Sequence, residues 1–165
     1  MASCARYLLE KKAKPFLLIH EGAKDLMLAQ QIRAGMAESI PIVQEGHPLK
    51  IKGILGACEG TLGSRFHGLV SALSQGVPSL ATGWSHKYKM LFQDYGFEEG
   101  LLDVKGSEKA MQEKLDMITD IERQTPIRDT LLCRAAELKN KSGIMWGQVF
   151  DELQSLKPTA NAKNI

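Results

Sequence analysis

Gly63-Ser64-Arg65-Phe66-His67-Gly68-Leu69-Val70-Ser71-Ala72-Leu73-Ser74-Gln75-Gly76-Val77-Pro78 runs directly into Ser79-Leu80-Ala81. Residues 66–75 have helical character throughout. Gly76 stands where helices favour a left-handed residue, and Pro78 just beyond it cannot continue a helix. Residues 79–81 must then form a strand. A helix that begins at a Gly-Ser-Arg turn and hands over to a short apolar strand is one unit of an alternating α/β chain.

Upstream, Phe16-Leu17-Leu18-Ile19 is a continuous apolar run, the pattern of a strand covered on both faces in a parallel sheet. A short helix over residues 2–12 precedes it and stops before Pro15. Helical spacing over residues 23–37 and an apolar run over 40–43 complete one βαβ unit. After the turn-like Gly46-His47-Pro48, residues 49–55 resemble a short helix and 58–62 a strand interrupted by Glu59 and Gly60. Downstream, residues 86–95 form a helix stopped by Gly96, residues 101–104 a last strand, and the remainder is helical. A terminal helix over residues 141–156 is expected to place Ile144, Met145, Val149, Phe150 and Leu153 on one face. Residues 157–165 lack apolar periodicity and are expected to be a disordered tail. Parallel strands need crossover connections, normally helical, so the alternation predicts one mostly parallel sheet with helices on both faces, within one domain over residues 1–156.

The length of 165 residues suits one core, and 44% hydrophobic with 24% charged residues is an ordinary globular composition. The net charge of +2, with basic and acidic residues interleaved, argues against a nucleic-acid surface. The three cysteines, Cys4, Cys58 and Cys133, are widely spaced, which suggests neither a disulfide framework nor a metal site. No apolar run approaches the length of a membrane span, and no secretory leader is recognisable, so the cytoplasm is the expected compartment.

In open parallel α/β sheets, ligands sit beyond the carboxyl ends of the strands, where the next helices present unpaired N–H groups. Two such starts carry conspicuous chemistry. At Ser64-Arg65-Phe66-His67, Ser64 is a candidate cap, and the following N–H groups and the helix dipole attract an anion. Arg65 adds a planar fork for carboxylate or phosphate, and His67 can donate a proton or pair with phosphate. At Ser85-His86-Lys87 the same logic applies. Cations at both starts oppose the dipoles, a local cost that a bound anion removes. His20, at the end of the first strand, is a further candidate. Each residue also has a structural reading: the serines as plain caps, Arg65 as a salt-bridge partner, His67 as a core histidine, Trp84 as packing, and Glu21 and Asp25 as helix-start acids.

The stretch from Gly63 to Pro78, continuing into Gly83-Trp84-Ser85-His86-Lys87-Tyr88, closely resembles the polysaccharide pyruvyl transferase family. The likeness extends more loosely from Leu18-Ile19-His20 through Ile51-Lys52-Gly53-Ile54-Leu55-Gly56 to Trp146. It implies the C-terminal, donor-binding half of a two-domain GT-B-like enzyme, a Rossmann-like three-layer domain. The reaction it implies is transfer of pyruvyl from phosphoenolpyruvate to two hydroxyls of a sugar or lipid-linked saccharide, forming a ketal on exopolysaccharide or cell-wall polymers, with no cofactor and no metal. The family's Arg-x-His motif falls on Arg65, Phe66 and His67, so the resemblance gives Arg65 and His67 catalytic roles. Ser64, Phe66, Ser85, His86, Lys87 and His20 are then substrate-binding.

By this resemblance the family's N-terminal half is expected to lie outside the chain. The chain is then an excised domain or truncated reading frame, or pairs with a separate polypeptide supplying that half or with a second copy as a homo-oligomer. The isolated chain's activity is left open. Two alternatives stand beside this reading: a non-catalytic interaction domain that retains the fold, and a GT-B half that binds a nucleotide sugar.

Overall fold

The computed structural model describes residues 1–83, 85–103 and 105–156. Its elements follow in the order α1 (Ala2–Glu10), β1 (Leu17–Ile19), α2 (Gly22–Ala34), β2 (Ile42–Gln44), α3 (Pro48–Gly56), β3 (Thr61–Gly63), α4 (Phe66–Leu73), β4 (Ser79–Ala81), α5 (His86–Asp94), a 3₁₀ turn (Glu98–Gly100), α6 (Glu108–Thr119) and α7 (Ile121–Ser155). The class is α/β. The tail expected over residues 157–165 lies outside the described residues, as do Trp84 and Val104.

All the strand pairing is parallel, but it is divided into two short ladders. In one, Leu17, Leu18 and Ile19 of β1 pair with Ile42, Val43 and Gln44 of β2. In the other, Thr61, Leu62 and Gly63 of β3 pair with Ser79, Leu80 and Ala81 of β4. No ladder joins the two pairs among the described residues. The last strand expected over residues 101–104 is reduced to a single parallel bridge between Leu101 and Ala81, with Leu102 N donating to Ala81 O at 2.9 Å.

The principal core surrounds β4. Leu80 and Ala81 pack with Leu69 and Leu73 of α4, Phe92 of α5, Leu115 of α6 and Leu131 of α7. Ser79 is fully buried yet satisfied: Thr61 Oγ1 donates to Ser79 Oγ at 2.8 Å, and Ser79 Oγ donates to Val77 O at 2.9 Å. The β1–β2 ladder rests on a smaller cluster of Leu55, Ala72 and Val77, with Leu18 and Ile51 packed against it. The continuous cover expected for residues 16–19 is therefore incomplete, since Phe16 and every residue of β1 stay half-buried.

Gly76 has φ +75°, the left-handed value its position predicts, and the Leu132 side chain fills the space a Cβ would need. Asp120 separates α6 from α7: its carboxylate accepts from Glu122 N at 2.9 Å and Arg123 N at 3.4 Å. The terminal helix expected over residues 141–156 is the distal part of α7, a helix of 35 residues, about 52 Å long at 1.5 Å per residue. Its apolar side is also redrawn. Ile144 and Leu153 are nine residues apart, which at about 100° per residue places them on opposite sides of the helix. No helix of the described residues is long and apolar enough to cross a membrane.

Candidate anion site at two helix starts

Three chain segments leave the carboxyl ends of parallel strands on the same side of the molecule: His20 and Glu21 after β1, Ser64 and Arg65 after β3, and Thr82 and Gly83 after β4. Helices α4 and α5 begin here. Arg65 occupies the N-cap position of α4 and Ser85 that of α5, and neither makes a side-chain capping bond. The serines therefore depart from the capping role expected of them. Ser64 lies one residue outside the cap, and Ser85 Oγ is buried with no hydrogen-bond partner among the described residues. Without a capping side chain, first-turn N–H groups of both helices remain available to an outside acceptor, although in α5 that of Tyr88 already donates to Ser85 O at 3.0 Å.

Tyr88 joins the two starts. Its hydroxyl donates to Ser64 O at 2.6 Å, and its ring packs so closely on Gly83 that a Cβ there would sit 2.5 Å from ring carbons. Phe66 meets the Tyr88 ring edge-on, with centroids 5.7 Å apart and planes at 83°. Lys87 Nζ lies 5.0 Å from the Phe66 centroid and 5.4 Å from that of Tyr88, so aromatic faces hold this ammonium beside the α4 start. His67 meets Phe66 edge-on at 6.0 Å and is exposed, as are His86 and Lys87. His20 is brought to the same place: its Nε2 lies 3.7 Å from where a Cβ of Gly68 would stand, in the first turn of α4. Five of the expected residues, His20, Arg65, Phe66, His67 and Lys87, therefore surround one helix start.

Arg65 is engaged with neighbouring acids. Nη1 pairs with Glu21 Oε2 at 2.6 Å, while Nη2 and Nε hold Asp25 Oδ1 and Oδ2 at 2.6 and 3.1 Å. The two-pronged bond to Asp25, more than the charge of Glu21, holds the guanidinium pKa above its ordinary value. Glu21 and Asp25 thus do more than adjust the dipole of α2. They hold and orient the fork, and any incoming carboxylate or phosphate must compete with them or be shared alongside. The sequence carries a trace of this pair, two acids four apart and so on one helical face directly after a strand end. Nothing local, however, ties them to an arginine 40 residues away. Tyr88 was likewise missed as a site residue, because a tyrosine on an amphipathic helix ordinarily reads as packing.

A shallow, apolar concavity of about 520 Å³ lies near the opposite ends of β1 and β2, beside Pro15, Phe16 and Pro41. Among the described residues no group of three His, Cys, Asp or Glu side chains is placed to hold a metal ion. The chemistry the strand ends offer is anion binding at paired helix starts, with histidines close by for proton transfer.

No solved structure matches the chain. The sequence model of the family described as polysaccharide pyruvyl transferase matches residues 1–86, a span that runs from α1 to the first residue of α5 and so takes in both strand pairs and both helix starts. This chain belongs to the polysaccharide pyruvyl transferase family.

Proposed function

We propose that this chain is the donor-holding part of a polysaccharide pyruvyl transferase, a Rossmann-like half of a GT-B arrangement, with phosphoenolpyruvate bound at the starts of α4 and α5. One observation carries the reading: two helix starts without side-chain caps follow adjacent parallel strands, are tied together by Tyr88, and hold Arg65, His67 and Lys87 in or beside their first turns. Phosphoenolpyruvate presents a phosphate and a carboxylate on neighbouring atoms. Paired N–H clusters with the Arg65 fork beside the α4 start suit such a polyanion better than either start alone.

The reaction then follows from the positions of charge. A proton is delivered to the methylene carbon of the enol phosphate as a sugar hydroxyl adds to the neighbouring carbon and gives up its own proton to restore the donor, leaving a tetrahedral centre that still carries phosphate. A second hydroxyl displaces the phosphate, which leaves with that hydroxyl's proton, and the ketal closes. Arg65 neutralises carboxylate or phosphate, and His67 binds the phosphate or gives the proton. Lys87 and the helix dipoles stabilise the departing phosphate, and Glu21 and Asp25 keep the fork of Arg65 oriented between turnovers. The acceptor, a sugar or lipid-linked saccharide, approaches from the open side of this surface and is held by a second polypeptide or domain.

Calorimetric titration of the full chain with phosphoenolpyruvate at low salt tests the donor assignment. Saturable binding is expected, falling by about tenfold or more in Arg65→Ala and His67→Ala variants that keep their circular dichroism, because charged hydrogen bonds contribute about 1.5–3 kcal/mol. Binding that survives both substitutions, or a preference for a nucleotide sugar in competition, overturns it.

A further inference from the structure

The distal part of α7 leaves the body of the molecule with its apolar side uncovered. Its proximal part packs Ile127, Leu131, Ala135 and Leu138 against the principal core. The same stripe continues with spacings of three and four through Ser142, Trp146, Val149, Leu153 and Leu156, the periodicity of a helix-pairing seam. There, Trp146 is 52% exposed, Leu153 54% and Leu156 74%, with Phe150 beside them at 57%. Four large apolar side chains in one seam after Ser142 exceed what isolated exposed residues account for.

We propose that this seam is covered by the same seam of a second copy, packed antiparallel about a two-fold axis near Trp146 and Val149. Charge supports that occupant and that direction. Lys141 and Glu152 lie on the same flank of the seam, on opposite sides of its midpoint, while Asp151 faces away from the seam. Antiparallel pairing brings Lys141 of each copy within about a helical turn of Glu152 of its partner, and parallel pairing superposes like charges. The body supports it as well. Because the stripe that faces solvent after Leu138 is the one that faces the core before it, a parallel partner would collide with the core, while an antiparallel partner ends where the core begins. In this register Trp146 of each copy packs against Val149 of the other, Ser142 against Leu153, and Phe150 lies over Gly143, where nothing within 4 Å occupies the place of a side chain. The overlap, from Lys139 to Leu156, is about 27 Å long. That is a small interface, so association is reversible and depends on concentration.

Sedimentation velocity of the full chain over a wide concentration range, without ligand, tests this independently of donor binding. A monomer–dimer equilibrium is expected for the wild type. Trp146→Asp and Leu153→Asp are expected to be monomeric at every concentration with helicity preserved, since neither residue touches the core. The reversed variants Lys141→Glu and Glu152→Lys should each lose self-association by about threefold to tenfold at low salt, and an equimolar mixture of the two should recover it. A wild type that stays monomeric throughout overturns the proposal. So does a dimer that ignores Trp146→Asp, or a mixture that associates no better than its components, the outcomes expected if another protein covers this face.

Discussion

The two strand pairs are alike in pairing and unlike in cover. Every residue of β4 is fully buried, whereas every residue of β1 is half-exposed. The difference lies in the helices that pack on them. Helix α4 brings Leu69 and Leu73, α5 brings Phe92 and α6 brings Leu115 to the β4 side, all 2% exposed or less. Helix α2, which contacts β1, buries only Ala29, and its Met27 and Leu28 are 60% and 54% exposed. The helix starts of the proposed anion site stand on the well-packed side. The carboxylates of Glu21 and Asp25 that hold Arg65 are carried from the lightly packed side. A site divided this way keeps its N–H donors fixed while the acids that compete with the donor sit on the element that gives most easily.

The sharpest way to break that contrast is to remove matching side chains from the two sides. Phe92→Ala should lower the unfolding free energy by about 3–5 kcal/mol, because a fully buried ring leaves a cavity that its neighbours cannot fill. Leu18→Ala should cost about 1–2 kcal/mol, since the half-buried side chain loses only part of its transfer energy and water can enter the space. Urea unfolding of the two variants measures both. Equal losses would mean that the β1 side is covered in solution by something that hides it.

Gly83→Ala probes the joint between the helix starts. The added methyl meets the Tyr88 ring at 2.5 Å, so the ring must move and its hydroxyl leaves Ser64 O. The loss of one part-exposed hydrogen bond costs about 0.5–1.5 kcal/mol, and phosphoenolpyruvate affinity should fall by about threefold to tenfold through misplacement of the two N–H clusters. Tyr88→Phe, which removes the bond and keeps the ring, should show the smaller part of that effect. If Tyr88→Phe loses as much as Gly83→Ala, the bond rather than the ring position holds the starts together.

These contrasts were unevenly legible in the sequence. The passage from Phe66 through Gly76 to Ala81 was readable because a helix stop, a proline and an apolar strand agree within a few residues. The strand–helix alternation and the gathering of His20, Arg65 and His67 at one end followed from chain direction alone. The helix caps did not, because a shift of one residue moves the N-cap of α4 from Ser64 to Arg65, and boundaries are set by tertiary packing as much as by propensity. The pairing of Arg65 with Glu21 and Asp25 joins β3 to α2 across the fold, and no local pattern encodes it. The length of α7 was obscured by Pro126, which lacks the N–H that would bond Glu122 O yet does not end the helix, and by Gly143 and Gly147, which weaken the distal helix without ending it.

Asp120→Ala tests the well-packed side where it is least buried. Loss of the carboxylate that accepts from Glu122 N and Arg123 N should cost about 1 kcal/mol, visible as a lower urea midpoint at unchanged slope. A changed slope would show instead that α6 and α7 no longer unfold with the core.

The smallest effect needs no substitution, since the three thiols sit at three depths. Cys133 is exposed, Cys58 is half-buried beside the small cluster under β1, and Cys4 is buried in the principal core. Burial pushes the Cys58 thiol above its ordinary pKa, and Sγ donates to Ile54 O at 3.3 Å, so this group reacts slowly even when a reagent can reach it. Under native conditions Cys133 should label first and Cys58 next, through local opening of the α3 side, with a rate that rises as pH approaches its raised pKa. Cys4 should label only at the rate of global unfolding. Low concentrations of urea should then leave Cys58 labelling nearly unchanged and accelerate Cys4 steeply, because local opening exposes little surface and global unfolding exposes most of it. Equal urea dependence at the two positions would mean that the β1 and β4 sides open as one unit, and that the acids holding Arg65 are as firmly placed as the helix starts they face.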